Sequence, residues 1–528
     1  MLKSEASNRS SRNWGGILFL IVLAAIVLRV YWAAGLIPKD DAEYAKVAYQ
    51  MSRGTFDYAR YEGSPVVPLR TGIVLPTAAS MALFGPGEVQ IAAYPLITSV
   101  VMILLIYFFA ARMFGHQAAR IASIIWIFLP MEIELATMVV PEIPVTAFAF
   151  LGVYCIHVAR SRDDIGQRAK LLHGLAGGLA FGAAWLCKES VAFFAPFCLA
   201  LILFDLRNSK FRQLATWSGV AVGSLAVLLG EGLFYAIING DWLYRLTAMH
   251  NNYRLYPEYF YSEGARFGFE AGTPFWKAII KRIAIDGPAL IFLNAHFLFL
   301  PSFGALAALY GLYRRDSRFY FMAALFVMLV IMFNGFSASL KDYQPLPLFN
   351  RYFYAICVPA VILTGGMLAK LTMSAGIGSA LRERPESFFW GGIIILMLAA
   401  VIAWSTFRKF RDHDETWSAG ERYLARVLSP KDRIHTDALS RYALEFFWRY
   451  PEKMNILVYG EPGYQLTIHC DDYVLRNHSY NRWLAVNRGT WLTLRGFEIP
   501  TVVKDPPRNW RIQWANQNTT LFRVGCGD

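Results

Sequence analysis

Charged residues are scarce in this sequence. Asp, Glu, Lys and Arg make up 17% of its 528 residues, whereas 56% are hydrophobic. A soluble protein of this size would have too few polar residues to cover its surface. The low charge therefore excludes an ordinary soluble protein and predicts a mainly α-helical protein that crosses a membrane several times.

Several motifs of common binding sites are absent as well. The sequence contains no glycine-rich phosphate loop, which argues against a nucleotide site, and no Cys and His spacing typical of zinc. No internal repeat is visible, although secondary transporters usually contain one. The formal net charge of +13 comes from short basic clusters between apolar segments rather than from one basic face, so no nucleic acid partner is expected.

Apolar runs long enough to cross a bilayer recur along the chain. A membrane-spanning helix needs ~20 such residues, and by this criterion we count about eleven spans. They lie near 15–36, 88–110, 119–139, 143–159, 171–187, 190–205, 214–237, 289–312, 319–336, 352–371 and 389–406. The pattern predicts a polytopic helical bundle.

Basic residues follow every second predicted span, as in the loop that contains Arg207, Lys210 and Arg212. The positive-inside rule makes these loops cytoplasmic, and with them the N-terminus. An odd number of spans then places the chain after about residue 410 outside. The first apolar run lacks a small-residue cleavage site, which predicts a retained helix and not a signal peptide. We therefore expect a multi-pass protein of the cell (inner) membrane.

The chain divides into two predicted domains: a transmembrane domain, 1–410, and a small extracytoplasmic α/β domain, 411–528. The first outer loop, 37–87, contains two helical patterns, from Asp40 to Arg53 and from Pro68 to Phe84. Amphipathic helices of this kind are expected to lie along the outer face of the membrane. In the C-terminal domain, strands are predicted at 433–436, 455–459, 473–476 and 519–524, and helices near 418–428 and 438–449.

Two features of the outer segments leave alternatives open. Residues 238–288 are rich in Tyr, Trp and Phe, which favours an interfacial aromatic belt, the alternative being a wall that holds an acceptor or a lipid chain. Cys470 and Cys526 lie in the exported domain, where the compartment permits a disulfide bond between them.

Paired carboxylates stand directly after the first predicted span. Asp40 and Asp41 could cap a helix, but two adjacent acids exceed what a cap needs. At helical pitch, Asp40 shares a face with Tyr44, whereas Asp41 points ~100° away. One carboxylate can then enter a cavity while the other bonds locally.

A second acid and several cations are predicted at the same side of the membrane. Glu142 lies between two prolines, which restrict the backbone around it. The cations stand at outer ends of spans or in the first outer loop, where each alone would pass for an interfacial residue. Together with their neighbours Glu189 and Tyr352 they suggest an anion site, and they are Arg70, Lys188 and Arg351.

These residues resemble a known family of membrane enzymes. The sequence DDAEYA at 40–45, a segment ending in LFG, an acid between prolines and a late Arg-Tyr span are similar to the C-type-fold membrane glycosyltransferases. Within that fold, the pattern resembles the branch of the dolichyl-phosphate-mannose protein mannosyltransferases and the lipid A aminoarabinose transferase. The resemblance covers about residues 15–371.

The resemblance implies a reaction and assigns residues to it. A sugar on a polyprenyl phosphate donor would pass to an acceptor hydroxyl on a protein, glycolipid or glycan, by inverting single displacement at the outer face. The resemblance makes Asp40 the catalytic base, with Asp41 and Glu142 as further catalytic acids. It makes cations contact the donor phosphate, namely Arg70, Lys188 and Arg351, beside Tyr352, Tyr44 and Glu189.

The chemistry suits these residue types. A carboxylate can deprotonate the acceptor, and fixed cations can stabilise the departing phosphate. A divalent metal ion between Asp40 and Glu142 is a further option that the sequence leaves open. The alternatives are a secondary transporter, a transferase of a whole lipid-linked oligosaccharide, and a noncatalytic assembly protein. Midplane carboxylates in two related halves would favour transport.

Overall fold

The computed structural model confirms a helical polytopic fold. It describes residues 2–33, 35–37, 40–58, 61, 64–162, 164–208, 210–254, 275–337, 345–346, 348–374, 419–459, 467–478, 500–515 and 519–526. Within these residues, seven helices are long and apolar enough to cross a membrane, and each coincides with a predicted span. The predicted span at 389–406 and residues 255–274 of the aromatic segment lie outside the described residues.

The helices of the membrane part follow one another closely. In chain order they are α1 Leu2–Tyr31, α2 Asp40–Ser52, α3 Thr71–Phe84, α4 Glu88–Phe114, α5 His116–Ile127, α6 Pro130–Leu135, α7 Glu142–Ser161, α8 Gln167–Cys187, α9 Ala195–Arg207, α10 Leu214–Asn239, α11 Tyr244–Arg254, α12 Phe275–Lys281, α13 Gly287–Phe292, α14 Leu300–Tyr313, α15 Ser317–Gly335 and α16 Cys357–Ser374. Short 3-10 helices at Glu189–Phe194 and Asn350–Ile356 precede α9 and α16.

Two predicted spans are interrupted. The run at 119–139 is divided into α5 and α6, because Pro130 starts α6 and the preceding Leu129 is extended. The run at 289–312 is divided into α13 and α14 by a segment in which Leu298 and Phe299 have left-handed backbone. The apolar composition of both runs predicted continuous helices, and in both cases that prediction was wrong.

Glycines bring two of the membrane helices into close contact. A Cβ atom on Gly174 of α8 would lie 2.0 Å from the carbonyl oxygen of Thr216 in α10, and one on Gly178 would lie 2.2 Å from that of Val220. Gly219 and Gly223 of α10 approach the backbone of α8 in the same way. Small residues at spacings of four are typical of helix contacts in membranes, where burial of apolar surface gives no driving force.

The C-terminal residues fold around a five-stranded mixed sheet. Its strands are β1 Ile434–Thr436, β2 Ile456–Val458, β3 Tyr473–Asn477, β4 Trp510–Ala515 and β5 Thr519–Val524, in the order β2-β1-β3-β5-β4. β1 is parallel to β2 and β3, whereas β5 is antiparallel to β3 and β4. The helices are α17 at 419–427, α18 Ala438–Phe447 and α19 Thr501–Lys504. The four predicted strands are present, and β4 is an additional one.

Cys470 and Cys526 lie side by side in this part of the chain. Cys470 precedes β3 and Cys526 follows β5, which is its antiparallel neighbour, so the two Cα atoms are 4.7 Å apart and the residues form a disulfide. The pairing ties the last strand to the middle of the sheet.

Candidate active site

Helix α2 places Asp40 next to Arg351, a cation from a distant part of the chain. The helix begins at Asp40 and stops before Gly54, whose φ of +66° is unfavourable for other residues. Asp40 Oδ2 accepts a hydrogen bond of 2.6 Å from Arg351 Nη2. The Asp40 side chain is 49% exposed and that of Arg351 27% exposed, so solvent and substrate can reach this pair.

Glu142 forms a buried ion pair beside the first one. Lys188 Nζ donates a hydrogen bond of 2.8 Å to Glu142 Oε1, and both side chains are buried. Arg351 Nε lies 3.8 Å from the same oxygen. Glu142 is the first residue of α7, where the helix dipole favours a negative charge. Arg351 thus bridges the carboxylates at the starts of α2 and α7.

Arg70 connects Tyr44 of α2 to Glu189. Its Nη1 donates a hydrogen bond of 2.6 Å to the Tyr44 hydroxyl, and its Nη2 lies 3.0 Å from Glu189 Oε1. Tyr44 is one helical turn after Asp40, as the helical pattern predicted. The structure therefore collects the predicted residues Arg70, Tyr44 and Glu189 around one side of the site.

Tyr352 lies under two of the cations. Lys188 Nζ is 4.1 Å from the centre of its ring, and the guanidinium carbon of Arg351 is 5.4 Å from it. Cations within about 6 Å of an aromatic ring centre are attracted by its quadrupole. The ring therefore helps to hold two like charges close together.

The pKa values of Asp40 and Tyr44, which face the cations from helix α2, differ from those of free side chains. Partial burial opposes ionisation of Asp40, but the charges of Arg351, Arg70 and Lys188 outweigh it and lower the pKa of Asp40 below its ordinary value. Burial raises the pKa of Tyr44 above its ordinary value, although Arg70 opposes this effect. Asp40 is therefore an anion and Tyr44 a neutral hydroxyl at neutral pH.

A cavity opens directly onto the ionic groups. Its polar end is formed by Glu142, Lys188, Arg351 and Tyr352. The remainder of its lining is largely apolar and consists of Val145, Thr146, Ser190, Phe194, Phe333, Leu346 and Ala355. An anionic group bonded to an apolar chain would match both parts of this lining.

Asp41, which the sequence suggested as a further catalytic residue, is held by backbone N–H groups. It is fully buried, and its oxygens accept hydrogen bonds from the backbone N–H groups of Ile37 and Val139. Burial raises the pKa of Asp41 to about 7, and the two N–H groups oppose this rise. Asp41 thus connects the chain before α2 to the loop before Glu142, and its assignment to catalysis stays a prediction.

Asp40 and Glu142 do not fit a divalent metal ion. Arg351 lies between the two carboxylates, and Lys188 takes the same oxygen of Glu142. A metal ion needs several oxygen ligands that are not already shared with a guanidinium or ammonium group. Glu142 Oε2 is buried and has no hydrogen-bond partner among the described residues, but one oxygen does not make a metal site.

A buried network behind Arg351 was not predicted. Arg29 of α1 and Glu132 of α6 form an ion pair of 3.1 Å with no solvent exposure. Ser99 and Tyr354 also donate hydrogen bonds to Glu132, and Tyr354 belongs to the same 3-10 helix as Arg351. Two opposite charges inside apolar runs were the available signal, since such charges are usually paired.

A second unpredicted pair supports Glu189. Arg245 Nη1 lies 2.7 Å from Glu231 Oε1, and its Nη2 lies 4.0 Å from Glu189 Oε2. Arg245 also donates a hydrogen bond of 3.1 Å to the carbonyl oxygen of Leu69, next to Arg70. The sequence placed Arg245 in an aromatic belt, whereas the structure buries it against the site.

One family model matches part of this chain. The model of the dolichyl-phosphate-mannose-protein mannosyltransferase family matches residues 74–231. No curated protein matches the sequence. The family match includes Glu142 and Lys188, and it confirms the predicted resemblance to C-type-fold membrane glycosyltransferases.

Several solved structures resemble this chain in fold. ArnT from Cupriavidus metallidurans in the apo state has 15% identity and a TM-score of 0.58, covering 97% of this chain and 99% of that one. ArnT bound to undecaprenyl phosphate has 16% identity and a TM-score of 0.57, with the same coverage. The Archaeoglobus fulgidus oligosaccharyltransferase has 14% identity and a TM-score of 0.54, covering 90% of this chain and 71% of that one. At these identities the likeness shows the shared fold.

Proposed function

We propose that this protein transfers a sugar from a polyprenyl phosphate to an acceptor hydroxyl at the outer face of the membrane. The observation that carries the proposal is the ion pair of Asp40 with Arg351, because Arg351 and Lys188 both line a cavity whose other walls are largely apolar. A base, an anion site and a lipid-compatible wall are what this reaction requires.

The donor would bind by its two chemically different parts. Lys188 and Arg351 are the cations at the polar end of the cavity, and Arg70 contributes further positive charge. The apolar side chains of the cavity would lie against the lipid end of the donor. ArnT has the same fold and has been solved with undecaprenyl phosphate, which supports this class of donor.

The reaction follows from these positions. Asp40 accepts the proton of the acceptor hydroxyl, the acceptor oxygen bonds to the anomeric carbon, and the bond from that carbon to the phosphate oxygen breaks. The polyprenyl phosphate leaves with the bonding electrons, and the configuration at the anomeric carbon is inverted. A positioned base contributes typically ~10²- to 10⁴-fold to the rate. The fixed cations stabilise the charge that develops on the phosphate.

Glu142 has a separate role in this scheme. Its Oε1 is held by Lys188, whereas its buried Oε2 has no partner among the described residues. A buried carboxylate oxygen without a hydrogen bond is costly and invites a donor group. We assign Oε2 to a hydroxyl of the sugar or of the acceptor, which it would orient.

Transfer of a whole lipid-linked oligosaccharide is the second candidate. The likeness to the Archaeoglobus fulgidus oligosaccharyltransferase favours it, since that enzyme covers 90% of this chain at a TM-score of 0.54. The two candidates differ in the donor: a monosaccharide on a polyprenyl monophosphate or an oligosaccharide on a lipid carrier.

The test is a donor panel with the purified, membrane-reconstituted protein. Radiolabelled monosaccharides on polyprenyl monophosphates and lipid-linked oligosaccharides are incubated separately with membrane glycolipids, glycans and peptides, and movement of the label is measured. Label should move from a monosaccharide donor, Asp40→Asn should abolish the transfer, and Asp164→Asn should not. Asp164 is a suitable control because it is an exposed acid paired with Arg162 on the predicted cytoplasmic side. Movement of oligosaccharide alone, or full activity of Asp40→Asn, would contradict the proposal.

A further inference from the structure

The C-terminal domain contacts the helix that carries Asp40. Its helix α18 packs against α2, where Ala443 and Phe446 join the apolar cluster formed by residues of α2 such as Ala42 and Ala45. Tyr49 of α2 stacks on Tyr450, just after α18, with ring centres 4.2 Å apart. The helix with the proposed base is thus held on one side by a separate part of the chain.

A polar anchor lies in the middle of this contact. Lys46 Nζ of α2 is 2.9 Å from Glu445 Oε2 of α18, and the Glu445 side chain is only 3% exposed. Arg441 Nε donates a hydrogen bond of 2.7 Å to the other oxygen of Glu445. Lys46 also lies 4.4 Å from the centre of the Tyr442 ring. A buried carboxylate with two cationic partners restricts the position of Lys46 and of its helix.

A second anchor fixes the chain immediately before α2. Glu88 Oε1 accepts hydrogen bonds from Arg422 Nη2 of α17, at 2.6 Å, and from the backbone N–H of Leu36, at 2.9 Å. Gly35 makes this approach possible: its φ is +73°, and a Cβ atom there would lie 2.1 Å from Glu88 Oε1 and 2.2 Å from Arg422 Nη2. Any side chain at position 35 would separate the three groups.

The two anchors flank the proposed base in sequence. Leu36 comes four residues before Asp40 and Lys46 six residues after it. A displacement of α2 at either point changes the distance between Asp40 and Arg351, which belongs to the membrane domain. A misplacement of about 1 Å can reduce a rate by ~10²-fold.

We propose that the C-terminal domain positions the catalytic helix, with Glu445 and Arg422 as positioning residues that act on Asp40 through Lys46 and Glu88. The proposal deepens the proposed function and rests on it for the role of Asp40. A domain that served only to cover the site or to add stability would not need these two anchors.

The first test measures how firmly α2 is held, without any substrate. Hydrogen exchange of the α2 amides is compared in the full chain for the wild type, Lys46→Met, Glu445→Gln and the double variant. Gln at 445 keeps an acceptor for Arg441 but loses the charge that holds Lys46. Each single variant should exchange faster in α2, and the double variant should add little, because both changes remove the same contact. Arg523→Gln is the control, since Arg523 pairs with Asp471 at 3.0 Å on the exposed surface of the same domain.

The second test separates positioning from stability. In Glu445→Gln and in Arg422→Gln, kcat should fall about tenfold or more, while the donor KM changes little because Lys188 is not displaced. The acid limb of the pH profile of kcat should also move to higher pH, since Asp40 loses part of its contact with Arg351. A variant that only lost stability would melt at lower temperature and keep this limb unchanged.

The outcomes of the two tests are distinguishable. Unchanged exchange in α2 for both single variants, or unchanged kcat and pH profile in an active enzyme, would overturn the positioning proposal. Faster exchange in α2, combined with no sugar transfer by the wild type from any donor, would leave the positioning of the helix established and overturn the proposed function alone.

Discussion

Replacement of Arg351 by Gln should move the acid limb of the pH profile to higher pH. Burial raises the pKa of Asp40, and the site cations, led by Arg351, lower it below the ordinary value. Asp40 acts as a base only when it is ionised, so the rate falls as the pH drops through its pKa. Removal of Arg351 leaves the burial in place and removes the largest opposing charge, so the pKa of Asp40 rises.

The size of the shift follows from the exposure of the pair. A hydrogen bond between charged groups contributes ~1.5–3 kcal/mol, but Asp40 is 49% exposed and Arg351 27% exposed. Solvent screening at such exposure reduces the contribution to about 1 kcal/mol. Since one pKa unit corresponds to ~1.4 kcal/mol, the acid limb should move by about 0.7 unit.

The assay is kcat/KM for the lipid-linked donor, measured across the acidic range for the wild type, Arg351→Gln and Arg351→Lys. Lys keeps a positive charge, so Arg351→Lys should show a smaller shift. Arg162→Gln is the matched control, because Arg162 forms a 2.7 Å pair with Asp164 on an exposed surface. A uniform loss of activity with an unmoved acid limb would refute the coupling between Arg351 and Asp40.

Three further outcomes are expected. Glu132→Gln should lower the free energy of unfolding by ~3–5 kcal/mol, measured by denaturant titration in detergent, because it leaves the buried Arg29 without its ionic partner. Asp41→Asn should flatten the pH dependence of Tm: with a folded-state pKa of about 7, Asp41 contributes stability that is present near pH 4 and lost as the pH rises through 7. Cys470→Ser should destabilise the C-terminal domain by about 4 kcal/mol, measured by calorimetry, because it opens a loop with a sequence separation of 56 residues.

A specific result would refute each of these three predictions. Unfolding of Glu132→Gln at wild-type denaturant concentration would show that the pair with Arg29 adds no stability. An unchanged slope of Tm against pH in Asp41→Asn would assign that slope to other acids. Cys155→Ser is the control for Cys470→Ser, because Cys155 is unpaired in a membrane helix; equal effects of the two changes would remove the disulfide as the cause.

Local patterns predicted much of the fold. Seven of the predicted spans are helices of sufficient length, since a run of apolar residues in a bilayer must satisfy its own backbone hydrogen bonds. Helix α2 starts at Asp40 as predicted, with Gly54 after its end. The interruptions at Leu129 and at Leu298–Phe299 were missed, because apolar composition alone does not distinguish a broken helix from a continuous one.

The residues of the candidate site could be predicted from their types, and their roles stay predictions. Asp40, Glu142, Lys188 and Arg351 were expected to meet, and they lie within one ionic group. Asp41 accepts a hydrogen bond from the backbone N–H of Val139, 98 residues away. No local sequence pattern specifies that these two residues meet.

The sequence by itself determined that this chain is a helical membrane protein with acids and cations at the ends of its spans, because hydropathy and charge act on each segment separately. Only the tertiary structure decided which charges pair. Arg351 lies 311 residues from Asp40, and Glu445 lies 399 residues from Lys46. Contacts between residues so far apart in sequence depend on the packing of several helices together. The free energy of a charge in the protein interior then depends on which partner this packing places beside it.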